Sequence, residues 1–217
     1  MRIFLITGFG LDGRAFAPLD LPGDFHAVDL IAVRRGETLA AYALRLAAQM
    51  GLEAGDVVGG VSLGGMLALE MAKAKGCRGV ILIASCIHPR HIRRRFLWLS
   101  YVAPWVPESL IHRAFQLIPL ALRWQNLLTP DGQKLLNDIM GAFPPRLLKT
   151  LPPLIRRWPG CLPTTPVRRI HSTGDWMIRP AGEPPPVLLQ GKNHLITVSH
   201  PAEVRRFLLD AARDLGA

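Results

Sequence analysis

One serine of this chain stands where nucleophilic catalysis would place it. Gly60-Val61-Ser62-Leu63-Gly64 matches Gly-x-Ser-x-Gly, between the apolar run DVVGGV and a helical stretch. A serine on so sharp a strand-to-helix turn adopts a strained backbone that holds its hydroxyl out, and the flanking glycines relieve the crowding. The Leu63 N–H, first in the helix, would point at a developing oxyanion. An ordinary glycine-rich turn is the alternative interpretation.

Two later residues could activate this serine. A serine hydroxyl is a poor nucleophile near neutral pH, so a histidine must take its proton and a carboxylate must orient that histidine. Asp175 follows the strand-like run VRRIHS and His194 follows PVLLQ, so we expect both where strand ends converge on Ser62. Polar surface-loop residues are the alternative. We expect His171, within a strand, to be a core or supporting group. Less well placed are Asp131, Asp138 and Glu183 among the acids, and His88, His91, His112 and His200 among the histidines.

The loop Thr7-Gly8-Phe9-Gly10, which follows the first strand-like run, is expected to supply a second backbone donor to the oxyanion. The Phe9 N–H is the candidate for this role, and the Phe9 side chain could line a pocket. A glycine turn that carries a core phenylalanine is the alternative.

The same loop also fits a dinucleotide-binding motif. Residues 8–13, GFGLDG, match Gly-x-Gly-x-x-Gly after a strand, and Asp29 follows where a ribose-binding acid would lie. Against this interpretation, Pro18 and Pro22-Gly23 leave no room for the long helix whose N-terminus would hold the pyrophosphate. A nicotinamide-dependent oxidoreductase is therefore the disfavoured rival.

Apolar runs that alternate with helical stretches predict an α/β protein. The runs lack period-two alternation, as in parallel strands buried on both faces. We predict a three-layer α/β/α fold with a mostly parallel sheet of about six strands and functional loops at the carboxyl ends of the strands. The predicted strands are 2–7, 26–30, 56–61, 79–85, 167–172 and 186–190, and the predicted helices include 38–50, with Thr38 as N-cap, 63–75 and 202–215.

The alternation stops between residues 87 and 162, where leucine, arginine, tryptophan and proline occur with helical spacing. Thr129-Pro130 is a typical helix start. We predict that this segment, the helical insertion, forms a lid or cap between the fourth and fifth strands. Residues 1–86 and 163–217 would then form the core domain.

Bulk composition narrows the class of protein. With 217 residues and 49% hydrophobic content, the chain can form one large, well-packed domain. The start lacks a signal-peptide cleavage site, and the longest uncharged apolar stretch, 96–107, is shorter than the ~20 residues of a spanning helix. Cys77, Cys86 and Cys161 have no metal-type spacing and are expected to be buried thiols. These features predict a cytoplasmic protein without a metal or other cofactor.

The net charge of +10 favours anionic partners, and part of it lies in HPRHIRRR, residues 88–95, just before Phe96, Trp98, Tyr101 and Trp105. We expect a solvated basic face beside a buried aromatic face. The alternative is contact of residues 88–105 with an anionic carrier or a lipid surface, without stable membrane insertion. No nucleic-acid-binding module accompanies the charge, so we expect no nucleic-acid partner.

In order along the chain, four segments resemble the oxyanion loop, nucleophile elbow, acid loop and histidine loop of the α/β-hydrolase superfamily. They are TGFG at 7–10, GVSLGG at 60–65, IHSTGDWMIRP at 170–180 and GKNHLITVSHPAEV at 191–204.

The resemblance implies Ser62 as nucleophile, Asp175 as acid, His194 as base, and Phe9 and Leu63 as oxyanion donors. This chain differs in having Thr7-Gly8 where the family often has His-Gly, and in beginning at what is usually the third strand.

We therefore expect a serine hydrolase that cleaves a carboxylic ester or thioester of a small, largely apolar substrate through an acyl-enzyme. The charge makes an acyl-CoA or acyl-carrier thioesterase one alternative. A binding or sensor protein on the same fold is another, because a complete triad is compatible with a receptor.

Overall fold

A computed structural model describes residues 1–124, 127–191 and 193–216 of the chain. Its centre is a six-stranded sheet in the order β2-β1-β3-β4-β5-β6, and all five strand pairings are parallel. The predicted α/β fold is confirmed, and no end of a predicted strand differs by more than two residues from the strand observed. The strands are β1 (Ile3–Ile6), β2 (Phe25–Val28), β3 (Val57–Val61), β4 (Gly79–Ile83), β5 (Val167–Ser172) and β6 (Val187–Leu189).

Burial divides the strands into two groups. Every residue of β1, β3 and β4 is buried, as the unbroken apolar runs predict. In β2 and β6, by contrast, every residue is at least partly exposed. Each of these two strands pairs with only one neighbour, so the prediction of burial on both faces is wrong for the sheet edges.

Alternate residues of each strand face opposite layers of the fold. In β1, Phe4 and Ile6 belong to one apolar cluster, while Ile3 and Leu5 belong to another. The first cluster includes residues of helices α1 (Leu39–Gln49) and α2 (Leu63–Lys75). The second includes residues of a 3₁₀ helix (Gly13–Leu19) and of the last helix of the chain (Pro201–Asp214).

The described elements between β4 and β5 are all helices. Leu148 and Leu151 pack in the first apolar cluster, whereas Leu136 and Ile139 pack in the second. Trp158 Nε1 also donates to Glu70 Oε1 of α2 at 2.7 Å, so the insertion is anchored at several points. Its α-helices are α3 (Arg94–Val102), α4 (Glu108–Gln116), α5 (Ile118–Trp124), α6 (Pro130–Ala142) and α7 (Pro145–Arg157); α8 (Ile196–Ser199) and α9 (Pro201–Asp214) come after β6.

Both predicted threonine caps are present. Thr38 Oγ1 accepts a hydrogen bond from Ala41 N at 3.2 Å, and Thr129 Oγ1 accepts one from Gly132 N at 3.1 Å. Each satisfies a backbone donor that a helix start would otherwise leave without a partner.

The geometry after β1 does not suit a dinucleotide. A 3₁₀ helix over Gly13–Leu19 replaces the long helix that such a site needs, and β2 begins six residues later at Phe25. The Asp29 carboxylate, which would bind a ribose, accepts a hydrogen bond from Gly13 N at 2.7 Å. The Asp29 carboxylate is therefore engaged by the backbone of the chain itself.

Two further expectations can be compared with the structure. Cys77, Cys86 and Cys161 are free and buried, as predicted. Within residues 1–124, 127–191 and 193–216, no helix combines the length and apolar character needed to cross a bilayer.

The expected burial of the aromatic face is wrong for three of its four residues. Trp98 is 69% exposed, Tyr101 56% and Trp105 87%, although Phe96 is partly buried and packs 5.4 Å from the Trp176 ring. Hydropathy identifies an apolar face but does not show whether another element covers it.

Candidate active site

Ser62 lies between β3 and α2 with strained backbone angles, φ 54° and ψ −114°. Positive φ is uncommon for a residue with a side chain and is maintained only by its surroundings. Here Ser62 N donates to Ile83 O at 2.9 Å, and Ser85 Oγ donates to Ser62 O at 2.6 Å. The adjacent strand β4 and the residues after it therefore hold the turn that presents the serine.

Two glycines allow this turn to pack against β1. A Cβ atom on Gly60 would lie 2.5 Å from the carbonyl oxygen of Ile6, and one on Gly64 would lie 2.2 Å from the same atom. These distances are well inside van der Waals contact with backbone that cannot move aside. Only glycine fits at either position without a shift of the elbow or of β1.

Asp175 and His194 come together from two loops at the same edge of the sheet. The loops are joined by backbone hydrogen bonds from Thr173 N to Leu189 O at 2.9 Å and from Gly174 N to Gly191 O at 2.7 Å. His194 Nδ1 lies 2.6 Å from Asp175 Oδ2, and both side chains are buried. A carboxylate accepts this bond, so Nδ1 carries the proton and Nε2 is left as the acceptor of a neutral imidazole.

The other contacts of Asp175 fix its orientation. Oδ1 accepts hydrogen bonds from Met177 N at 2.7 Å and Ile178 N at 2.9 Å. His171 Nε2 lies 3.0 Å from Oδ2 and 3.1 Å from the Ile178 carbonyl oxygen. Both of these neighbours are acceptors, so His171 carries its proton on Nε2. The sequence predicts a core or supporting group at His171, and the structure identifies the carboxylate that this side chain contacts.

These contacts determine the ionisation of Asp175. Burial alone would raise the pKa of this carboxyl group. The electrostatic interaction with His194, the side-chain hydrogen bonds from His171 and His194, and the backbone N–H of Ile178 outweigh burial and hold the pKa well below its ordinary value. Asp175 is therefore a carboxylate at neutral pH, as the orientation of a neutral histidine requires.

The remaining nitrogen of the histidine, His194 Nε2, is buried and has no hydrogen-bond partner among the described residues. No hydrogen bond joins it to the hydroxyl of Ser62 in this structure. Catalytic hydrogen bonds are often long without substrate and tighten only in the complex. The histidine–carboxylate pair is therefore present, and Ser62 lies at the same sheet edge. No hydrogen bond joins Ser62 to His194.

Two arginines of the insertion bind the loop that carries the acid. Arg93 donates to the Asp175 carbonyl oxygen through Nε at 3.2 Å and Nη2 at 3.1 Å, and Arg95 Nη2 donates to Trp176 O at 2.6 Å. Trp176 in turn packs edge-on against the His194 ring, with centroids 5.9 Å apart. The sequence predicts a solvated basic face here, or else a contact with an anionic carrier or lipid, because spacing does not show which carbonyl groups a long side chain can reach.

Beneath the same loop, Arg169 is a buried charged residue of β5. Its guanidinium donates to the carbonyl oxygens of Ala181 at 2.8 Å, Pro184 at 2.7 Å and Gly182. Desolvation lowers the pKa of this arginine. These three bonds hold the segment between the acid and β6, and no motif in the sequence indicated them.

The glycine loop after β1 lies beside the serine, where a Cβ on Gly8 would be 3.5 Å from Ser62 Cβ. The N–H groups of Phe9 and Leu63 donate to no acceptor in the described part of the chain. Above this loop, the Phe9, Phe115 and Phe143 rings meet with centroids 5.9 to 6.0 Å apart. Aromatic side chains of the insertion therefore cover the loop, and Ser62 is only 7% exposed.

Cys86, which directly follows Ser85, is a second candidate nucleophile. Cys86 is completely buried, and desolvation, its largest influence, raises the pKa of its thiol to about 12. A thiol with this pKa stays protonated at neutral pH and is a weak nucleophile. Ser62 is the better placed of the two groups.

The elbow geometry predicts the effect of adding one methyl group. Gly64→Ala should lower the free energy of unfolding by at least ~2 kcal/mol, or prevent folding, because its Cβ would overlap the backbone of β1. Gly55→Ala is the matched control, since nothing lies within 4 Å of its added Cβ, and its effect should stay within about 0.5 kcal/mol. Urea unfolding measures both. Equal stability of the two variants would contradict the packing described.

The lowered pKa of Asp175 predicts how the free energy of unfolding depends on pH. An acid whose folded-state pKa lies below its ordinary value of about 3.9 stabilises the fold above that pH, and this contribution is lost as the pH falls through the folded-state pKa. The free energy of unfolding should therefore differ more between wild type and Asp175→Asn near neutral pH than near pH ~2. Asp24→Asn, at an exposed site, should show no such change in urea unfolding. A pH-independent difference for Asp175→Asn would contradict the electrostatic account.

Comparisons with known proteins agree with the observed fold. Residues 3–207 match the model of the Alpha/beta hydrolase family. Among solved structures, a thermophilic esterase from Thermogutta terrifontis is similar with a TM-score of 0.78, at 16% identity and over 100% of this chain and 91% of that chain. For MenH from S. aureus the TM-score is 0.71, at 15% identity, over 100% and 95% of the two chains.

N-acyl homoserine lactonase AidH, solved with N-hexanoyl homoserine lactone, has a TM-score of 0.70 at 16% identity, over 99% of this chain and 90% of that chain. At these identities the solved structures show the fold alone. A search of curated protein sequences found no match. Since the family model covers most of the chain, this protein belongs to the alpha/beta hydrolase family.

Proposed function

We propose that this protein is a serine hydrolase that cleaves a carboxylic ester or thioester through an acyl-enzyme. The observation that carries the proposal is the buried His194–Asp175 pair, 2.6 Å apart, at the sheet edge where a strained turn presents Ser62. The aspartate fixes the histidine as a neutral imidazole with Nε2 free to accept a proton. That free nitrogen is the property a serine nucleophile requires.

In the proposed mechanism, His194 Nε2 takes the proton from the Ser62 hydroxyl as Oγ attacks the carbonyl carbon of the substrate. The negative charge on the carbonyl oxygen is stabilised by the backbone N–H groups of Phe9 and Leu63. His194 then gives its proton to the leaving alkoxide or thiolate, and an acyl ester remains on Ser62. Water, deprotonated by the same imidazole, hydrolyses this ester.

The free state requires one movement before this sequence can begin. Ser62 Oγ and His194 Nε2 must approach within hydrogen-bond distance. The buried, unpartnered Nε2 favours such a bond, because a polar atom left unsatisfied in the interior is costly.

The surroundings of the serine favour an apolar acyl group. The Phe9, Phe115 and Phe143 rings, with the apolar part of the insertion, lie over the glycine loop. Such a surface excludes water and offers no charge to a polar substrate. The N-acyl homoserine lactonase among the similar structures was solved with a ligand that carries an N-hexanoyl group, which supports the proposal.

A serine-directed fluorophosphonate tests the nucleophile directly. The proposal predicts a single adduct that mass spectrometry places on Ser62, because only an activated hydroxyl displaces fluoride at phosphorus. Ser62→Ala should abolish labelling, and Asp175→Asn and His194→Ala should slow ester hydrolysis by about 10³-fold or more.

Ser199→Ala is the matched control for labelling. Its hydroxyl is engaged with His200 Nδ1 at 2.8 Å, so labelling should be unaffected. A folded wild-type protein that is not labelled, although Ser62 is present, would favour the binding or sensor interpretation over the enzyme.

The relative rates of hydrolysis of an ester and a thioester distinguish the two proposed substrate classes. We predict that p-nitrophenyl hexanoate is hydrolysed with a kcat/KM that changes little with salt, because the proposed acyl contacts are aromatic. Hydrolysis of hexanoyl-CoA, measured in parallel, is expected to be slower. A marked preference for the CoA thioester that disappears at high salt would instead assign a thioesterase, in which the basic surface binds the carrier.

A further inference from the structure

Helix α3 presents an exposed face that joins positive charge to aromatic side chains. Arg94, Trp98 and Tyr101 are spaced i, i+4 and i+7, so they lie on one face of the helix. All three are exposed, and so is Trp105 in the 3₁₀ turn that follows. Large aromatic side chains grouped on an exposed surface indicate a binding site more often than chance.

A cavity of about 530 Å³ adjoins this face. Its wall includes residues of α3, of α7 and of the acid loop. Arg156 connects the cavity with the aromatic face, because its guanidinium lies 4.2 Å from the centre of the Tyr101 ring. The lining includes Arg90, Arg94, Arg156 and Arg179, with the apolar Ile92 and Leu97.

The charges of this cavity are not neutralised by the chain as described. None of its four arginines forms a salt bridge with a described carboxylate. The neighbouring Arg93 and Arg95 form no salt bridge with a described carboxylate either, but their guanidinium groups donate hydrogen bonds to carbonyl oxygens of the acid loop. Arg156 Nε is buried and has no hydrogen-bond partner among the described residues. Several unpaired guanidinium groups around one cavity suit a phosphate group, which accepts paired hydrogen bonds from arginine.

The sequence around the face is also depleted of acids. Between Glu70 and Glu108 there is no aspartate or glutamate, whereas residues 90–95 contain four arginines. The exposed Arg90, Arg94 and Arg95 of this segment therefore attract an anionic partner.

We propose that the α3 face and the arginine cavity together bind an anionic phospholipid surface. Trp98 and Trp105 would enter the boundary between headgroups and acyl chains, where amphipathic aromatic rings are favoured. The arginines would contact the lipid phosphates. A small soluble phosphate would account for the cavity but would leave the adjoining aromatic side chains in water, so the lipid surface is the occupant that accounts for both features.

This inference does not rest on the proposed hydrolase activity. Ser62→Ala should therefore bind vesicles as well as wild type does, and the two proposals can fail separately.

Co-sedimentation with vesicles tests the proposal. The protein should bind vesicles of phosphatidylcholine mixed with phosphatidylglycerol, bind those of phosphatidylcholine alone much more weakly, and be released by salt. Arg94→Gln should weaken partition about fivefold, the effect of one basic residue near an anionic membrane. Trp98→Ser and Trp105→Ser should each weaken it about tenfold through lost apolar burial.

Two matched variants control for charge and for hydrophobicity. Arg206→Gln removes an exposed arginine of α9, and Leu162→Ser removes an exposed apolar side chain outside the α3 face; neither should change partition. Equal binding to both kinds of vesicle, or binding to neither, would overturn the proposal. So would Arg94-dependent thermal stabilisation by glycerol phosphate without vesicle binding, which would assign a site for a soluble phosphate.

Discussion

The candidate site depends on one buried carboxylate that must stay charged. Asp175 can remain ionised in the interior only because donors surround it: two backbone N–H groups on Oδ1, and two histidine rings within 3.0 Å of Oδ2. A buried charge without such partners would be neutralised instead. The same contacts fix the loop on which the aspartate lies, so the proposed chemistry and the local fold depend on a single set of hydrogen bonds.

The rest of the molecule supports that arrangement from three directions. Parallel strands bring the ends of β3 and β5 and the histidine loop to one edge, although residues 62, 175 and 194 are far apart in sequence. The insertion contributes Arg93 and Arg95, which bind the carbonyl groups of the acid loop from above. From within the core, Arg169 binds the carbonyl groups of the segment that continues towards β6.

Sequence alone predicts the parts of this structure that depend on local pattern. The buried strands β1, β3 and β4 appear as unbroken apolar runs, and the elbow at Ser62 has a fixed spacing of glycines. Contacts made by long or distant side chains have no such signature, so the His171 contact and the arginines that hold the acid loop were found only in the structure. The exposure of Trp98 and Trp105 was mispredicted for a related reason: an apolar residue is buried only if another element packs on it, and composition does not show that element.

The proposed mechanism requires Ser62 and His194 to act as a unit, although no hydrogen bond joins them in this structure. A crystal structure of the protein after reaction with a phosphonate ester measures this most directly. The account predicts phosphorus bonded to Ser62 Oγ, His194 Nε2 within about 3.2 Å of an oxygen of the adduct, and a phosphoryl oxygen facing the N–H groups of Phe9 and Leu63. An adduct on Ser62 from which the imidazole stays remote, with its Nε2 still unpartnered, would contradict it.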